Sequence, residues 1–356
     1  MSKSMQGVLF PGSKTAVVET FEVPSPGLGE VLLEMKASGM CGSDLEYIYN
    51  IPKEMRGKPY LGMVAPPEII PGHEPCGVVV ELGDGVRTLK VGDRVAVYHI
   101  SGCGVCKQCR AGWQIICERK HTTYGFDRHG GDADFMVADE RDCVILPDNL
   151  SFAVGAYCSC GAGTAFQICK RLGISGCDDV AIFGVGPVGV AATMIATFQG
   201  GRVIAVDVNE ERLELARSVG AKHTINANKE GIPERIRELT HGEGASVALD
   251  CSANPQARVN TLECSKTWGR AAFVGEGHTT EIDPSPQLLH KELTLYGTWV
   301  FSLSTMMELI EYLSRFKSQL PLEQLVTDRY SISEAPQALA DFAAGKTAGK
   351  AVFEWK

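Results

Sequence analysis

Hydrophobic and polar positions alternate in two different ways along the chain and divide it into two parts. Up to about residue 155, short runs with a period of two, such as 31–35, 77–82 and 94–98, are separated by Gly, Pro and Asp. This pattern is typical of β-strands joined by turns. Between about 156 and 297, apolar runs alternate with helical patterns, which indicates a doubly wound parallel sheet. The sequence therefore predicts an α/β protein of two domains, which its 356 residues also favour.

The second part gives the more regular pattern. Its strands are predicted at 180–183, 203–206, 223–226, 246–250, 271–274 and 293–296, and its helices up to 198 and at 210–219, 233–239 and 256–264. Beyond it the pattern predicts an amphipathic helix at 305–315 and a strand at 351–355. This late strand suggests that the chain returns to the first part, which makes that part discontinuous.

A glycine turn opens the second part, between its first strand and its first helix. The turn contains Gly184, Gly186, Pro187, Val188 and Gly189. Strand, glycine turn, helix and strand is the order of a dinucleotide-binding βαβ unit. The first glycine permits the tight turn, the second lets a pyrophosphate approach, and the third lets the helix pack on the strand. The pyrophosphate is expected at the helix N-terminus.

The acid that ends the next strand indicates which dinucleotide binds. Asp207 can accept a hydrogen bond from a ribose 2′-hydroxyl and repels a 2′-phosphate. Residues 208–210 supply no cation for such a phosphate, and Arg212, one turn later, is a further candidate cofactor contact. NAD is therefore predicted over NADP. The uncharged run 180–198 could instead span a membrane, but its glycines and proline argue against that.

Composition and charge exclude some classes of partner. The net charge of −9 argues against nucleic acid, whose phosphates need clustered Lys and Arg. No apolar targeting segment is visible at the start of the sequence, so a cytoplasmic protein without membrane attachment is expected.

Four of the thirteen cysteines cluster within fifteen residues, as Cys103, Cys106, Cys109 and Cys117. In a long chain without a secretory signal, such a cluster favours a metal over disulfides. Four thiolates at these spacings can close a tetrahedron around one structural zinc ion. An iron–sulfur cluster is the alternative, although the gap before the fourth cysteine differs from the ferredoxin pattern.

A second group of candidate ligands precedes this lobe. Cys41 lies in a Gly-Met-Cys-Gly-Ser-Asp segment. His73 is the second residue of the stretch 72–86, which fits G-H-E-x2-G-x5-G-x2-V. That stretch is the signature of zinc-containing alcohol dehydrogenases. Together with the four-cysteine lobe and the late glycine turn, the chain resembles the zinc-dependent medium-chain dehydrogenase/reductase superfamily over essentially its whole length. The branch it is most similar to contains polyol, threonine and secondary-alcohol dehydrogenases.

The resemblance implies an architecture. A GroES-like catalytic domain is expected from residues 1–155 and 298–356, with a structural zinc lobe at about 99–120, and a Rossmann NAD-binding domain from 156–297. Two zinc ions per chain, one catalytic and one structural, are implied. A homodimer or homotetramer is expected, since members commonly pair their cofactor sheets edge to edge.

The same resemblance implies the ligands of the catalytic zinc. Cys41 and His73 match the first two ligands. Cys160 matches the third through the family's Cys-Gly-x-x-Thr pattern, with Cys158 as the alternative. Polyol and threonine enzymes often carry an acid at this position, and this chain does not. Two Cys and one His leave a fourth position open, as in alcohol dehydrogenase.

Other residues are implied to assist the reaction, in which zinc lowers the pKa of an alcohol and hydride passes to the nicotinamide. Glu74 is the carboxylate near the metal, and Asp44 orients His73. Ser43 is placed to pass the alcohol proton outward. The family continues that relay through a histidine, where this chain has Glu46. Either Glu46 takes the proton, or Glu46 or Tyr47 contacts the substrate, or the relay passes through cofactor hydroxyls and water.

Five residues match cofactor contacts of the family outside the glycine turn. Thr164, Val274, Gly275 and Thr298 are expected near the nicotinamide half, and Lys350 near the pyrophosphate.

The sequence thus predicts an NAD-dependent zinc alcohol dehydrogenase for a secondary alcohol or polyol. A reductase of activated C=C bonds with the same fold is the alternative, and a non-enzymatic zinc-lobe interaction protein a remote one. The substrate is not identified. The proline-rich segment 51–71 forms either a rim over the site or a surface detour, and Tyr47, Phe126, Trp299 and Phe301 are either pocket or core residues.

Overall fold

The computed structural model describes residues 4–60, 63–64 and 69–356. The chain divides into two compact units. The first comprises Met1–Cys160, Ser302–Lys317 and Leu322–Lys356, and the second Gly161–Phe301 and Ser318–Pro321. The first unit is therefore discontinuous. Its boundaries with the second fall a few residues beyond the predicted positions 155 and 297.

The first unit, up to Cys160, consists mainly of strands. These are β1 (Ser4–Gly12), β2 (Thr15–Glu22), β3 (Glu30–Gly39), β4 (Pro59–Tyr60), β5 (Met63–Val64), β6 (Pro75–Leu82), β7 (Arg94–Val97), β8 (Ile100–Ser101), β9 (Thr122–Thr123), β10 (Phe135–Asp139) and β11 (Cys143–Ile145). Its helices are α1 (Gly42–Asp44), α2 (Lys107–Arg110) and α3 (Phe152–Cys158), with a π-helical turn at Leu45–Tyr49.

The second unit alternates strands and helices. Its strands are β12 (Asp179–Phe183), β13 (Arg202–Asp207), β14 (His223–Asn226), β15 (Ala245–Asp250), β16 (Ser265–Phe273) and β17 (Thr294–Gly297). Its helices are α4 (Gly161–Leu172), α5 (Pro187–Phe198), α6 (Glu210–Ser218), α7 (Ile232–Leu239), α8 (Pro255–Glu263) and α9 (Pro284–Gln287).

The last part of the chain returns to the first unit through α10 (Leu303–Arg315), β18 (Val326–Tyr330), α11 (Ala335–Ala343) and β19 (Lys350–Glu354). The main sheet of that unit has the order β11-β7-β6-β3-β19-β18, with β10 also paired to β3. In the antiparallel pair β3–β19, Val352 lies opposite Gly39. The C-terminal strand is thereby held next to the strand that leads to Cys41.

The sheet of the second unit has the order β14-β13-β12-β15-β16-β17, and all its neighbouring strands are parallel. The order reverses direction between β12 and β15, and ligands of open α/β sheets bind outside the carboxyl ends of the strands at such a point. Every residue of β15 is buried, which is expected of a parallel strand covered on both faces. The predicted α/β fold class is confirmed.

Two other expectations concern particular segments. Within the described ranges, no helix has the length and apolar character needed to cross a membrane, and the uncharged run 180–198 is divided between β12 and α5. Of the proline-rich segment 51–71, residues 61–62 and 65–68 lie outside the described residues, so the choice between rim and surface detour stays a prediction.

Candidate active site

Four side chains predicted from the zinc signature meet in the first unit. Cys41, His73, Glu74 and Cys160 each offer one ligand atom, and these atoms all lie within 4.8 Å of one another. Cys41 follows β3, His73 and Glu74 directly precede β6, and Cys160 follows α3. Thiolate and imidazole are the ligands that zinc prefers. Cys158, the alternative third ligand, is fully buried and does not belong to this cluster.

Asp44 connects two of the candidate ligands. Its Oδ2 accepts a hydrogen bond from the Cys41 backbone N–H (2.8 Å), and its Oδ1 lies 2.8 Å from His73 Nδ1. A carboxylate on one ring nitrogen makes that nitrogen the donor and leaves the other as the metal ligand. Burial opposes a charge on His73, but Asp44 and Cys41 outweigh it and hold the His73 pKa well above its usual value.

The two sulfurs of the cluster have opposite proton affinities. A hydrogen bond between the Cys160 and Cys41 side chains lowers the pKa of Cys41 well below the usual value and raises that of Cys160 well above it. Cys41 is therefore ready to act as a thiolate, whereas Cys160 holds a proton that a divalent cation would displace. The donor set thus fits a zinc ion.

Glu74 and Lys350 form a buried ion pair beside this cluster. Their side chains are 0% and 1% exposed, and Lys350 Nζ also donates to the Met40 carbonyl (2.7 Å). Burial favours a raised pKa of Glu74, and the charge of Lys350 opposes that rise. The contact of Lys350 with a pyrophosphate stays a prediction, and in this structure its ammonium is buried beside the metal cluster.

The predicted proton relay begins in the same region. Ser43 Oγ lies 3.8 Å from Cys41 Sγ. Glu46 is exposed and lies in the π-helical turn Leu45–Tyr49, in which Asn50 N–H donates to the Leu45 carbonyl (2.8 Å). Turns of this kind are rare and often occur at functional sites. The choice between Glu46 as relay and Glu46 as substrate contact stays a prediction.

Aromatic rings surround the candidate ligand His73. The ring centroid of Phe126 lies 5.1 Å from that of His73 and 6.4 Å from that of Tyr47. The ring centroid of His99 lies 5.4 Å from that of His73, in an edge-to-face arrangement. Burial lowers the pKa of His99 to about 3. His99 was not among the predicted residues, because a histidine after the apolar run 94–98 looks like one more strand position.

The four-cysteine lobe is a second compact cluster in the first unit. One sulfur from each of Cys103, Cys106, Cys109 and Cys117 lies within 4.8 Å of the others. Backbone N–H groups point at the sulfurs, including Cys103 N to Cys117 Sγ (3.4 Å) and Cys106 N to Cys103 Sγ (3.4 Å). The first of these bonds is the main reason why the pKa of Cys117 falls to about 6. Four sulfurs form a closed ligand set of the structural kind.

The glycine turn of the second unit shows three different constraints. Gly184 has φ +81°, which is the left-handed region that glycine adopts readily. A Cβ on Gly189 would overlap the Gly184 carbonyl oxygen, so a glycine is needed for close packing of α5. At Gly186 a Cβ would have as its nearest neighbour Arg212, at 3.8 Å, so space remains above the turn. These are the roles that the dinucleotide fingerprint assigns.

A cavity of about 440 Å³ lies beside this turn in the second unit. Asp207 lines it, and its carboxylate accepts N–H bonds from Val185 (2.8 Å), Val208 (2.8 Å) and Asn209 (3.0 Å). The acid is therefore held rigidly at the carboxyl end of β13. The cavity is also lined by strand ends, the turn, loops and the three helices α6, α7 and α8, namely Phe183, Gly184, Gly186, Val206, Val208, Arg212, Ala227, Ile232, Cys251, Ser252, Asn254, Gln256, Ala257 and Asn260.

Comparison with known proteins identifies the family. Residues 27–148 match the alcohol dehydrogenase GroES-like domain, and residues 187–315 match the zinc-binding dehydrogenase family. The chain is 42% identical over 360 residues to the uncharacterized zinc-type alcohol dehydrogenase-like protein YphC of Escherichia coli (strain K12), with 99% of both chains covered. This chain belongs to the zinc-dependent medium-chain dehydrogenase/reductase superfamily.

Relatives that are named for a particular substrate are also similar to this dehydrogenase. It is 30% identical over 338 residues to an L-threonine 3-dehydrogenase of Marinomonas sp. (strain MWYL1), covering 94% of this chain and 95% of the relative. The crystal structure of galactitol-1-phosphate dehydrogenase from Escherichia coli matches with a TM-score of 0.85 at 28% identity, covering 98% of this chain and 100% of that one. The predicted superfamily is confirmed, and the protein is an oxidoreductase of the zinc alcohol dehydrogenase family.

The remaining predicted cofactor residues of this dehydrogenase lie in its second unit. Val274 and Gly275 follow β16, and their N–H groups donate to the Asp250 carbonyl (2.9 and 3.2 Å). Thr298 follows β17 and accepts from Arg171 (2.7 Å). Residues 274–275 and 298 thus directly follow the carboxyl ends of two parallel strands. Thr164 is buried in α4.

The two aromatic candidates of the second unit differ in exposure. Phe301 is fully buried, and its ring lies where a side chain on Gly163 would stand, so it belongs to the core rather than to a pocket. Trp299 is 48% exposed, and its Nε1 donates to Glu276 (3.2 Å).

Proposed function

We propose that this dehydrogenase holds two zinc ions per chain and transfers hydride reversibly between a secondary alcohol or polyol and NAD. The observation that carries the proposal is the cluster of Cys41, His73 and Cys160, with Asp44 on the far nitrogen of His73. Two Cys and one His with a fourth position for water or substrate are the catalytic ligand set of alcohol dehydrogenase. The lobe of four cysteines supplies a closed structural set.

The chain's own residues have defined tasks in this proposal. When bound, the zinc ion acts as a Lewis acid toward the hydroxyl or carbonyl oxygen of the substrate. Asp44 fixes the His73 ring and, through the Cys41 N–H, the position of Cys41. The Ser43 hydroxyl, next to Cys41, accepts the proton of the alcohol and passes it outward. Lys350 balances the buried charge of Glu74.

The choice of NAD rests on Asp207. Its carboxylate is oriented by three N–H bonds and faces the cavity of the second unit, where it can accept from a ribose 2′-hydroxyl. Arg212 lines the same cavity and is the one basic side chain among its described lining residues. We expect kcat/KM to be at least tenfold higher with NAD than with NADP. Equal values would contradict the assignment and would mean that Arg212 accommodates a 2′-phosphate.

The proposed substrate class is supported by the aromatic surroundings of the metal cluster and by the names of relatives. Phe126 lies against His73 and Tyr47 lies against Phe126, and these rings suit the carbon skeleton of a secondary alcohol. The names of two relatives specify L-threonine and galactitol 1-phosphate, so both compounds belong in the test panel.

The deciding experiment measures NADH formation across a panel of secondary alcohols, polyols and these two compounds, together with the zinc content per chain. The Cys41→Ser variant should lose activity and one of two zinc ions. Cys177→Ser, which replaces an exposed cysteine of the second unit, is the matched control and should retain both. Reduction of an activated C=C bond without any alcohol oxidation would instead support the alternative reductase.

A homodimer or homotetramer is also proposed. β17 is the last strand of the cofactor sheet, and its residues are exposed or half-buried, as an edge that can pair with a second copy would be. Light scattering after size-exclusion chromatography tests this, and a monomer at micromolar concentration would contradict it. The cytoplasmic location stays a prediction.

A further inference from the structure

His99 contacts the segment that delivers the third candidate ligand. Helix α3 ends at Cys158, its C-cap is Ser159, and Cys160 follows. The carbonyls in the last turn of a helix lack partners within the helix. His99 Nδ1 lies 2.6 Å from the Ser159 carbonyl oxygen, and the two residues are 3% and 0% exposed. Because a carbonyl can only accept, this nitrogen of His99 carries the proton and caps the end of α3.

The same imidazole contacts a second ligand-bearing segment. Its ring lies edge-to-face on His73, with an interplanar angle of 65°. The Ser159 hydroxyl in turn donates to the carbonyl of Pro75 (3.2 Å), two residues after His73. The end of α3 is therefore joined to His73 through His99 and to the first residue of β6 through the Ser159 hydroxyl. Cys160 follows Ser159 directly.

We propose that His99 is a positioning residue for the catalytic metal, acting through its Nδ1–H bond to the Ser159 carbonyl to hold Cys160 in place beside His73 and Cys41. The inference rests on the proposed function, since it requires a metal ion at these three ligands. It adds to that function a residue that neither the ligand pattern nor the dinucleotide fingerprint contains.

The physical reason for a histidine here is hydrogen bonding rather than volume. A buried carbonyl that loses its donor costs about 1–3 kcal/mol, and α3 can regain a partner only by moving its last turn. Such a movement displaces Cys160, which follows this turn without an intervening residue. Partners of metal ligands typically change metal affinity by about 10- to 100-fold when removed.

The test uses a matched pair of substitutions in the full-length protein. In His99→Asn the amide nitrogen stands close to the position of Nδ1, so the bond to Ser159 is kept. In His99→Gln the amide nitrogen stands close to Nε2 instead, so the bond is lost. Ser159→Ala removes the hydroxyl but keeps the carbonyl. His99→Phe, which fills the space without a donor, replaces His99→Gln if that variant does not fold.

Cobalt(II) substitution supplies a readout that does not depend on activity. We measure the ligand-field and thiolate charge-transfer bands of cobalt at both sites and the rate at which a chelator removes each ion. His99→Gln should release the catalytic ion about 10- to 100-fold faster than wild type and show weakened thiolate bands. The lobe ion should be unaffected, and His99→Asn should resemble wild type. Ser159→Ala keeps the bond from His99 but loses the bond to Pro75, and it should fall between wild type and His99→Gln.

The outcomes separate this inference from the function on which it rests. If wild type takes up one ion per chain, held by the lobe, the proposed function fails and the inference with it. If wild type takes up two ions and His99→Gln keeps wild-type bands and release rates, the inference alone is overturned. Equal acceleration at both sites, or in His99→Asn as in His99→Gln, would also overturn it, because His99 would then act on stability in general.

Discussion

The glycines of the zinc signature are packing constraints around a metal ligand. Gly72 precedes His73 and has φ +90°, and a Cβ there would overlap Asp132. Further along the signature, a Cβ on Gly77 would overlap the Glu34 carbonyl oxygen of β3. The pattern is recognisable in the sequence because the neighbouring backbone leaves no space for a side chain at these positions.

Substituting Gly77→Ala should destabilise the first unit. The added methyl group meets the backbone of β3, which cannot rotate away as a side chain could, and overpacking of this kind costs about 1–3 kcal/mol. Thermal unfolding of the zinc-loaded protein measures the effect. Gly176→Ala is the matched control, since the nearest atom to a Cβ there is the Gly200 carbonyl oxygen at 3.9 Å, and its melting temperature should stay near that of wild type. Equal effects of the two changes would contradict this reading.

Asp132 should make the stability of the protein depend on pH near neutrality. Burial raises its pKa from 3.8 to about 7, with Asp44 adding to the rise, while Ser38, His73 and Lys350 oppose it. Between pH 3.8 and about 7, the folded state therefore keeps a proton that the unfolded state has released. The contribution of this proton to the free energy of unfolding is complete below pH 3.8 and is lost as the pH rises through about 7.

The Asp132→Asn variant isolates this contribution. The amide keeps an oxygen for the Ser38 hydroxyl, which donates to Asp132 at 2.6 Å in the wild type, but it does not titrate. The melting temperature of the variant minus that of wild type should therefore increase by several degrees between pH 5 and 8. A difference independent of pH would mean that Asp132 is ionised throughout this range.

At the residue scale, sequence patterns identify ligands better than their partners. Cys41, His73 and Cys160 could be predicted because zinc binds thiolate sulfur and imidazole nitrogen, and few residue types carry these atoms. Lys350 could not be placed, since a lysine near the end of a chain gives no sign of a buried carboxylate as its partner. His99 was missed for a similar reason: its bond to Ser159 joins segments that no local pattern connects.

At the scale of elements, the alternating strands and helices of the second unit could be predicted from their periodicity. The adjacent helices α3 and α4 were missed, because the segment around Cys160 is rich in Gly, Ala and Cys, although Gln167, Lys170 and Arg171 of α4 follow a helical spacing. All residues of α3 except Phe152 are buried. Tertiary packing rather than amphipathic pattern therefore stabilises this helix, although Ser151, which caps its first turn, was a local signal.

Two glycines of the turn have different roles, Gly189 in the packing of α5 and Gly186 in cofactor binding. Gly189→Ala forces a Cβ against the Gly184 carbonyl, so α5 cannot pack closely, and both the melting temperature and NADH binding should fall. Gly186→Ala has space for its Cβ in the folded protein, so its melting temperature should change little. Its methyl group nevertheless occupies the position that a pyrophosphate approaches, and the Kd for NADH should rise by at least tenfold.

Differential scanning fluorimetry and NADH fluorescence titration distinguish these two variants. Similar losses of stability in both would mean that the turn has no free space above Gly186. Unchanged NADH binding in Gly186→Ala would place the pyrophosphate elsewhere.

At the scale of the whole molecule, the main sheet of the first unit is completed by the C-terminal part of the chain. β19 pairs with β3, and this pairing brings Lys350 next to Met40, 310 residues away in the sequence. The discontinuity could be predicted from the β-like run near residue 350, whereas the register could not. The carboxylate of Glu74 is thus balanced by a charge that is present only when the last strand is in place.

The four-cysteine lobe should stabilise the first unit without taking part in hydride transfer. Its Gly112 carbonyl accepts from the N–H of Leu303, the first residue of α10, so the lobe is connected to the returning part of the chain. Replacing Cys109→Ser removes one of four sulfurs and should release the lobe ion. Because that ion binds only the folded lobe, the melting temperature should fall by several degrees or more.

Cys41→Ser provides the reciprocal control for this last prediction. Both variants should retain one zinc ion per chain, yet Cys41→Ser should be inactive at every temperature at which it is folded. Cys109→Ser should keep measurable turnover at low temperature and lose it early on heating, with proteolytic cleavage beginning inside the lobe. Loss of turnover in Cys109→Ser at temperatures where the protein is still folded would show that the lobe acts on the chemistry itself.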